Sequence, residues 1–164
     1  MMAGCDVCEV LEWDSDFFGR RIARVATNSL SPDAVPLILE WCRTRHIDCL
    51  YFLSRADDRD TVRLAEDTGF RLVDIRTTLE RQLDGARPVQ GATGEGIIRG
   101  CAPGDIPPLR LIAGAAHRES RFYNDPNFPR ELCDALYATW IDKSCRGYAD
   151  TVLVVELDGQ PVGY

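Results

Sequence analysis

The stretch Thr-Val-Leu-Val-Val-Glu-Leu-Asp-Gly-Gln-Pro-Val-Gly-Tyr, residues 151–164, constrains the fold most. Five of its first seven residues are Val or Leu, and the run does not alternate before Glu156. A strand of that composition fits the centre of a sheet, covered on both faces. Asp158-Gly159 then supplies the dipeptide that tolerates positive φ in a two-residue hairpin turn. Residues 160–164 start a returning strand, and the sheet is expected to continue past them.

A chain of 164 residues suffices for one domain or two small lobes, without a metal or disulfide staple. Its net charge is −7, and it has no run of Lys and Arg. That balance argues against nucleic acid and against an anionic membrane surface as partners. The N-terminal residues lack the basic and apolar regions of a signal peptide, and no apolar run approaches the roughly 20 residues of a membrane span. A cytoplasmic protein is expected.

Seven cysteines, an odd number, lie mostly inside apolar patterns and read as small buried hydrophobes. Cys5 and Cys8 alone have metal or redox spacing. They lack a second pair, and His46 and His117 stand isolated in the sequence, so no metal site is expected.

Along the chain, Glu12-Trp13-Asp14-Ser15-Asp16-Phe17-Phe18-Gly19 mixes aromatics with carboxylates. It reads as a turn whose rings plug a groove, or as a stretch facing a ligand. Residues 21–26 form a short strand. Ser31-Pro32-Asp33 opens a helix running to about Arg45, and residues 48–54 form a second strand. Asp57 and Asp58 cap a helix that Gly69 closes, with Phe70 folding back on Ala65. Residues 73–83 alternate, with Val73, Ile75, Thr77, Leu79 and Leu83 on one face, as in a half-buried strand. Residues 1–84 thus make a small α/β lobe.

Residues 84–96 hold four Gly and one Pro and read as a linker over 85–95. Their glycines resemble a phosphate loop, but a strand follows them where such a loop needs a helix. The second lobe, 96–164, begins with a strand near Ile97 and a helix capped by Asp105, with Ile106, Leu109, Ile112, Ala113 and Ala116 facing inward. An aromatic loop, 117–129, follows. A helix from Pro129 then places Leu132, Leu136 and Trp140 on one stripe and ends at Gly147. No nucleophile elbow, zinc-helix motif, Walker loop or dinucleotide fingerprint is present.

The second lobe's order of strand, helix, aromatic loop, helix, apolar strand and Asp-Gly hairpin resembles the start of the GCN5-related N-acetyltransferase (GNAT) fold. Leu11-Glu-Trp-Asp-Ser-Asp-Phe-Phe-Gly19, Thr68-Gly-Phe-Arg-Leu-Val-Asp74, Asp105-Ile-Pro-Pro-Leu-Arg110, Ser120-Arg-Phe122 and Leu136-Tyr-Ala-Thr-Trp140-Ile narrow the resemblance. They are similar to acetyltransferases of dTDP-4-amino-4,6-dideoxy sugars, the dTDP-fucosamine acetyltransferase type. The fold class implied is α/β (α+β): a GNAT-like mixed sheet flanked by helices, as a small N-terminal lobe plus the first half of a GNAT domain.

The resemblance implies transfer of acetyl from acetyl-CoA, as co-substrate, to the amine of a small molecule, a nucleotide-linked amino sugar such as a dTDP-amino sugar. It also implies that the acetyl-CoA loop and the tyrosine that protonates the departing thiolate lie beyond Tyr164, so that this chain alone would be inactive. Arg121, Phe122, Tyr123 and Asp125 fall where such proteins shape the acceptor pocket, and packing within the loop is their other reading. Glu156, a carboxylate in an apolar strand, is a candidate base, or simply the point where the strand meets solvent. Cofactor-binding residues are not identified. A non-catalytic nucleotide-sugar-binding module and a thiol or zinc protein using Cys5 and Cys8 stand as alternatives. A homodimer is a candidate assembly, since an exposed apolar sheet edge invites pairing with another chain.

Overall fold

In the computed structural model, residues 7–82 and 96–164 are described. They hold six α-helices and six strands in two three-stranded sheets, a mixed α/β (α+β) fold of the expected class. The chain divides into two compact units, Met1–Leu72 and Val73–Tyr164. The expected linker, 85–95, and Cys5 lie outside the described residues.

In the first unit, β1 (Cys8–Val10), β2 (Ile22–Val25) and β3 (Cys49–Tyr51) form a mixed sheet with β2 at its centre. β1 runs antiparallel to β2 and β3 parallel to it. Cys8, Ala23, Val25, Ile38 and Trp41 form the core. Cys8 is 1% exposed, so its thiol serves as a core hydrophobe.

The stretch expected as a plugging turn is instead helix α1 (Glu12–Phe18). Glu12 and Asp14 in its first turn complement the helix dipole, Trp13 stacks on Phe17 with centroids 5.1 Å apart, and Gly19 closes it at φ 63°. The Ser15 hydroxyl donates to the Leu11 carbonyl and accepts from the Ile22 N–H, tying α1 to β2.

Helix α2 (Ala34–Thr44) buries Ile38 and Trp41. Helix α3 (Arg59–Asp67) is capped as its sequence implies, the Asp58 carboxylate accepting from the Thr61 N–H. At its other end Gly69 sits at φ 94°. The Phe70 N–H reaches the Ala65 carbonyl and the Gly69 N–H the Glu66 carbonyl, a Schellman closure.

In the second unit, β4 (Ile97–Gly100), β5 (Leu153–Leu157) and β6 (Gln160–Gly163) form an antiparallel sheet with β5 in the middle. Asp158 and Gly159 both have positive φ, 50° and 74°, so the β5–β6 hairpin is the tight one read from the sequence. Helix α4 (Ile106–Ala116), entered through a 3-10 turn (Pro103–Asp105), packs on helix α6 (Arg130–Lys143). A short helix α5 (Arg121–Asn124) lies between them in sequence. Leu109, Ala113, Ile141 and Val154 make the core of this unit.

Three expectations are corrected. Residues 73–82 form no strand, and Ile75 and Leu79 are 73% and 90% exposed; Leu83 lies outside the described residues. Alternation suits a strand, but a strand forms only where its backbone pairs, and these residues pair with neither sheet. The 151–157 run is central in its sheet but covered on one face only. Val154 is fully buried, while Leu153, Val155, Leu157 and, opposite Val155, Ile98 stand on the open face. In α6 the inward stripe is Cys133, Leu136 and Ile141, with Trp140 37% exposed, because Ile141 is the residue that meets Leu109 and Ala113.

Candidate functional site

The aromatic loop of the second unit condenses into a continuous row of rings. Phe122 meets Phe128 and Trp140 edge-on at 5.5 and 6.4 Å, and Trp140 meets Tyr137 at 5.3 Å. Tyr137 stacks on Tyr123 at 6.3 Å and on His117 at 4.6 Å. The row ends where His117 Nε2 lies 3.0 Å from the Tyr164 hydroxyl. These rings come from α5, the turn before α6, α6 itself, and the residues that follow α4 and β6.

Local sequence explains the condensation. Ser120 has extended backbone and its carbonyl accepts from the Tyr123 and Asn124 N–H groups, so α5 turns Phe122 and Tyr123 inward. The Asp125 carboxylate accepts from the Asn127 backbone and side chain at 2.9 and 2.8 Å, bending the chain before Phe128. The Asp74 carboxylate accepts from the Arg121 N–H and the Val73 carbonyl from the Asn124 amide, which hold α5 from outside.

The structure thus separates the candidates. Phe122 is 1% and Tyr123 7% exposed, so both rings are interior. The Tyr123 hydroxyl donates to the Asp134 carboxylate. Burial, then Asp134, raises the Tyr123 phenol well above its ordinary value, so it stays protonated through neutral pH. The Arg121 guanidinium lies 4.3 Å from the Phe122 ring centroid, over its face, and Asp125 shapes the turn.

Glu156 lies elsewhere, on β5. Arg99 donates to it at 2.6 Å and holds Asp105 through two bonds of 2.6 and 2.9 Å. Asp105 also accepts from the Ala102 N–H at 2.7 Å. Arg99 first, then that N–H, lowers the Asp105 carboxyl to about 2. Glu156 is therefore one arm of a three-residue ion pair joining β4, β5 and the entry to α4.

Sequence reading missed the His117–Tyr164 pair. Tyr164 lies 47 residues beyond His117, and no local pattern marks either residue. Burial, followed by Cys145 and Tyr137, raises the Tyr164 phenol. Tyr164 therefore carries its proton at neutral pH, and the His117 tautomer sets which partner donates across the 3.0 Å contact. Both side chains are exposed, so the pair is within reach of a ligand.

A pyrophosphate of an acyl-CoA would need a helix N-terminus with backbone N–H groups turned toward it. Among the described helices of eight residues or more, each carries a carboxylate at or beside its first turn, which disfavours an anion there. Asp105 and Pro107-Pro108 occupy the start of α4, Asp33 and Pro36 that of α2, Asp58 and Asp60 that of α3, and Pro129 and Glu131 that of α6. The residues described do not fit the group.

In the first unit an open depression of about 240 Å³ is lined by Glu12, Asp16, Arg20, Arg21 and Asp48 among others. Asp48 already accepts from the Arg21 N–H there. Among the described residues no group of three or more His, Cys, Asp or Glu could hold a metal ion, and no helix is long and apolar enough to cross a membrane.

No protein-family profile matches the chain. The chain is similar to a dTDP-fucosamine acetyltransferase of Escherichia coli O6:H1, with 31% identity over 143 residues. The match covers 87% of this chain and 58% of that protein, so the chain spans less than two thirds of its relative's length. That similarity supports a relationship to acetyltransferases.

Proposed function

We propose that this chain belongs to an acetyl-CoA-dependent N-acetyltransferase of the GNAT type. It acts on the amine of a nucleotide-linked amino sugar of the dTDP-fucosamine kind and supplies the acceptor side of the reaction. The observation that carries the reading is the 31% identity to a dTDP-fucosamine acetyltransferase across 87% of the chain. The reading implies a cytoplasmic protein, with a second copy of the chain as the candidate partner.

Acyl transfer to an amine needs the neutral amine, so an ammonium proton must leave. In this reading Tyr164 Oη accepts that proton as its own passes to His117 Nε2, 3.0 Å away. Arg121 contacts the diphosphate and Asp125 accepts a hydrogen bond from the sugar or base. Phe122 and Tyr123 form the packed floor that holds Arg121 in place, and Glu156 serves the Arg99 ion pair. Acetyl-CoA supplies the acyl group, and the described residues provide no cradle for its pyrophosphate.

A second reading is a nucleotide-sugar-binding module without catalysis. The two separate in one experiment: calorimetric titration of the chain with dTDP-fucosamine, followed by mass detection of N-acetyl product after acetyl-CoA is added. Saturable binding that dTDP competes and Arg121→Ala weakens is expected of both, and product distinguishes the enzyme. Absence of binding at millimolar sugar nucleotide overturns both.

A further inference from the structure

Cys101 Sγ lies 3.4 Å from Cys145 Sγ, although 44 residues separate them. The pairing of β4 with β5 brings them together. The Cys101 N–H donates to the Val152 carbonyl one step beyond the ladder, and Cys145 arrives from a π turn (Ser144–Tyr148) between α6 and β5. Both side chains are half-buried and rest on the core built around Leu109, Ile141 and Val154. Cys8 and Cys133, by contrast, are fully enclosed, at 1% and 0% exposure.

A disulfide requires its sulfurs at about 2.05 Å, so this pair must close by roughly 1.4 Å. Side-chain rotation supplies part of that. The rest can come from the π turn, where Gly147 at φ 102° already breaks the helical path and where π geometry is locally weak.

We propose that Cys101 and Cys145 are a dithiol modification site that closes reversibly to an intrachain disulfide by exchange with a small-molecule disulfide. The Cys101 thiolate attacks one sulfur of the external disulfide and releases the other as a thiolate, leaving a mixed disulfide on Cys101. Cys145 then loses its proton and attacks the Cys101 sulfur, releasing the second external thiol. Two protein thiols are oxidised and one external disulfide is reduced to two thiols. Cys145 takes the second step because burial, Cys101 and the Asp142 and Asp105 carboxylates push its thiol up to about 11. Closure ties the end of β4 to the turn that feeds β5.

The test equilibrates the folded chain in buffers of graded oxidised to reduced glutathione, quenches in acid, alkylates the remaining thiols and maps the peptides. Expected is a Cys101–Cys145 linked peptide that loses two hydrogens and follows a two-electron transition, with Cys8 and Cys133 still free to be alkylated after denaturation. Cys101→Ser and Cys145→Ser each abolish the link, and Cys145→Ser retains glutathione on Cys101. Circular dichroism of each variant reports the fold, and closing the link in the parent chain raises its melting midpoint by several degrees. The proposal is overturned if no such peptide forms at any ratio at which the chain keeps its native spectrum. It is equally overturned if another pair of cysteines links in its place.

Discussion

His117 Nε2 and the Tyr164 hydroxyl meet at 3.0 Å, joining the end of α4 to the end of β6. Both side chains are exposed, so replacing either leaves the core untouched. Under the proposed acyl transfer, in an active enzyme that contains this chain, His117→Gln and Tyr164→Phe should each lower the rate of sugar N-acetylation by about 10²-fold, the usual contribution of a positioned acid–base group. The KM for the sugar nucleotide should stay within a factor of a few. Steady-state kinetics with melting curves as a fold control checks this; unchanged rates would remove the pair from the proton path.

Asp105 gives a pH signature. Arg99 and the Ala102 N–H hold its carboxyl at about 2 in the folded chain, against roughly 3.9 when unfolded. A depressed carboxylate contributes its stability fully above about pH 4 and loses it as pH falls toward about 2. The melting midpoint of the parent chain should therefore fall more steeply over that window than that of Asp105→Asn. At neutral pH the variant should melt several degrees lower. Parallel curves between about pH 4 and 2 would contradict the assignment.

Phe122 and Tyr123 separate floor from contact. As an enclosed ring, Phe122 should cost about 3–5 kcal/mol of stability when changed to Ala. Tyr123→Phe strips Asp134 of a hydrogen-bond donor and should cost about 1 kcal/mol. Under the proposed function, Arg121→Ala should weaken sugar-nucleotide binding with little loss of stability. Urea unfolding and calorimetry on the three variants read both effects; a Phe122→Ala chain of parental stability would return that ring to the ligand side.

Gly159 isolates backbone strain from packing. Its φ is 74°, and a Cβ placed there meets nothing within 4 Å. Gly159→Ala should therefore destabilise the chain by about 1 kcal/mol through the left-handed conformation alone. Denaturant titration measures it, and a neutral result would mean that the β5–β6 turn can change type.

Local chemistry was readable wherever one residue's own preference decides the outcome. Asp58 at the start of α3, Gly69 and Phe70 at its end, and Asp158-Gly159 between β5 and β6 all behave as their types dictate, because caps and tight turns involve neighbours in sequence. Helix α1 was missed because aromatics and carboxylates in so short a stretch give no clear period; only Gly19 signalled its end. The aromatic loop was recognised as unusual, but the direction each ring faces was not. Phe122 and Tyr123 turn inward because α5 and α6 close over them, and a chain segment cannot report what packs above it.

The sequence by itself determined the mixed α/β (α+β) class, the capped start and Schellman end of α3, the tight hairpin and the likeness to amino-sugar acetyltransferases, since each rests on neighbouring residues or on motif order. Tertiary structure alone decided the remainder. Residues 73–82 alternate yet form no strand, since they pair with neither sheet. The β5 run is apolar throughout but covered on one face, since helices pack on that side only. Glu156 finds Arg99, Cys101 finds Cys145, and His117 finds Tyr164 across 47 residues or so. These are long-range contacts made when β4 pairs with β5 and α4 packs on α6, and no pattern within one segment encodes its partner in another.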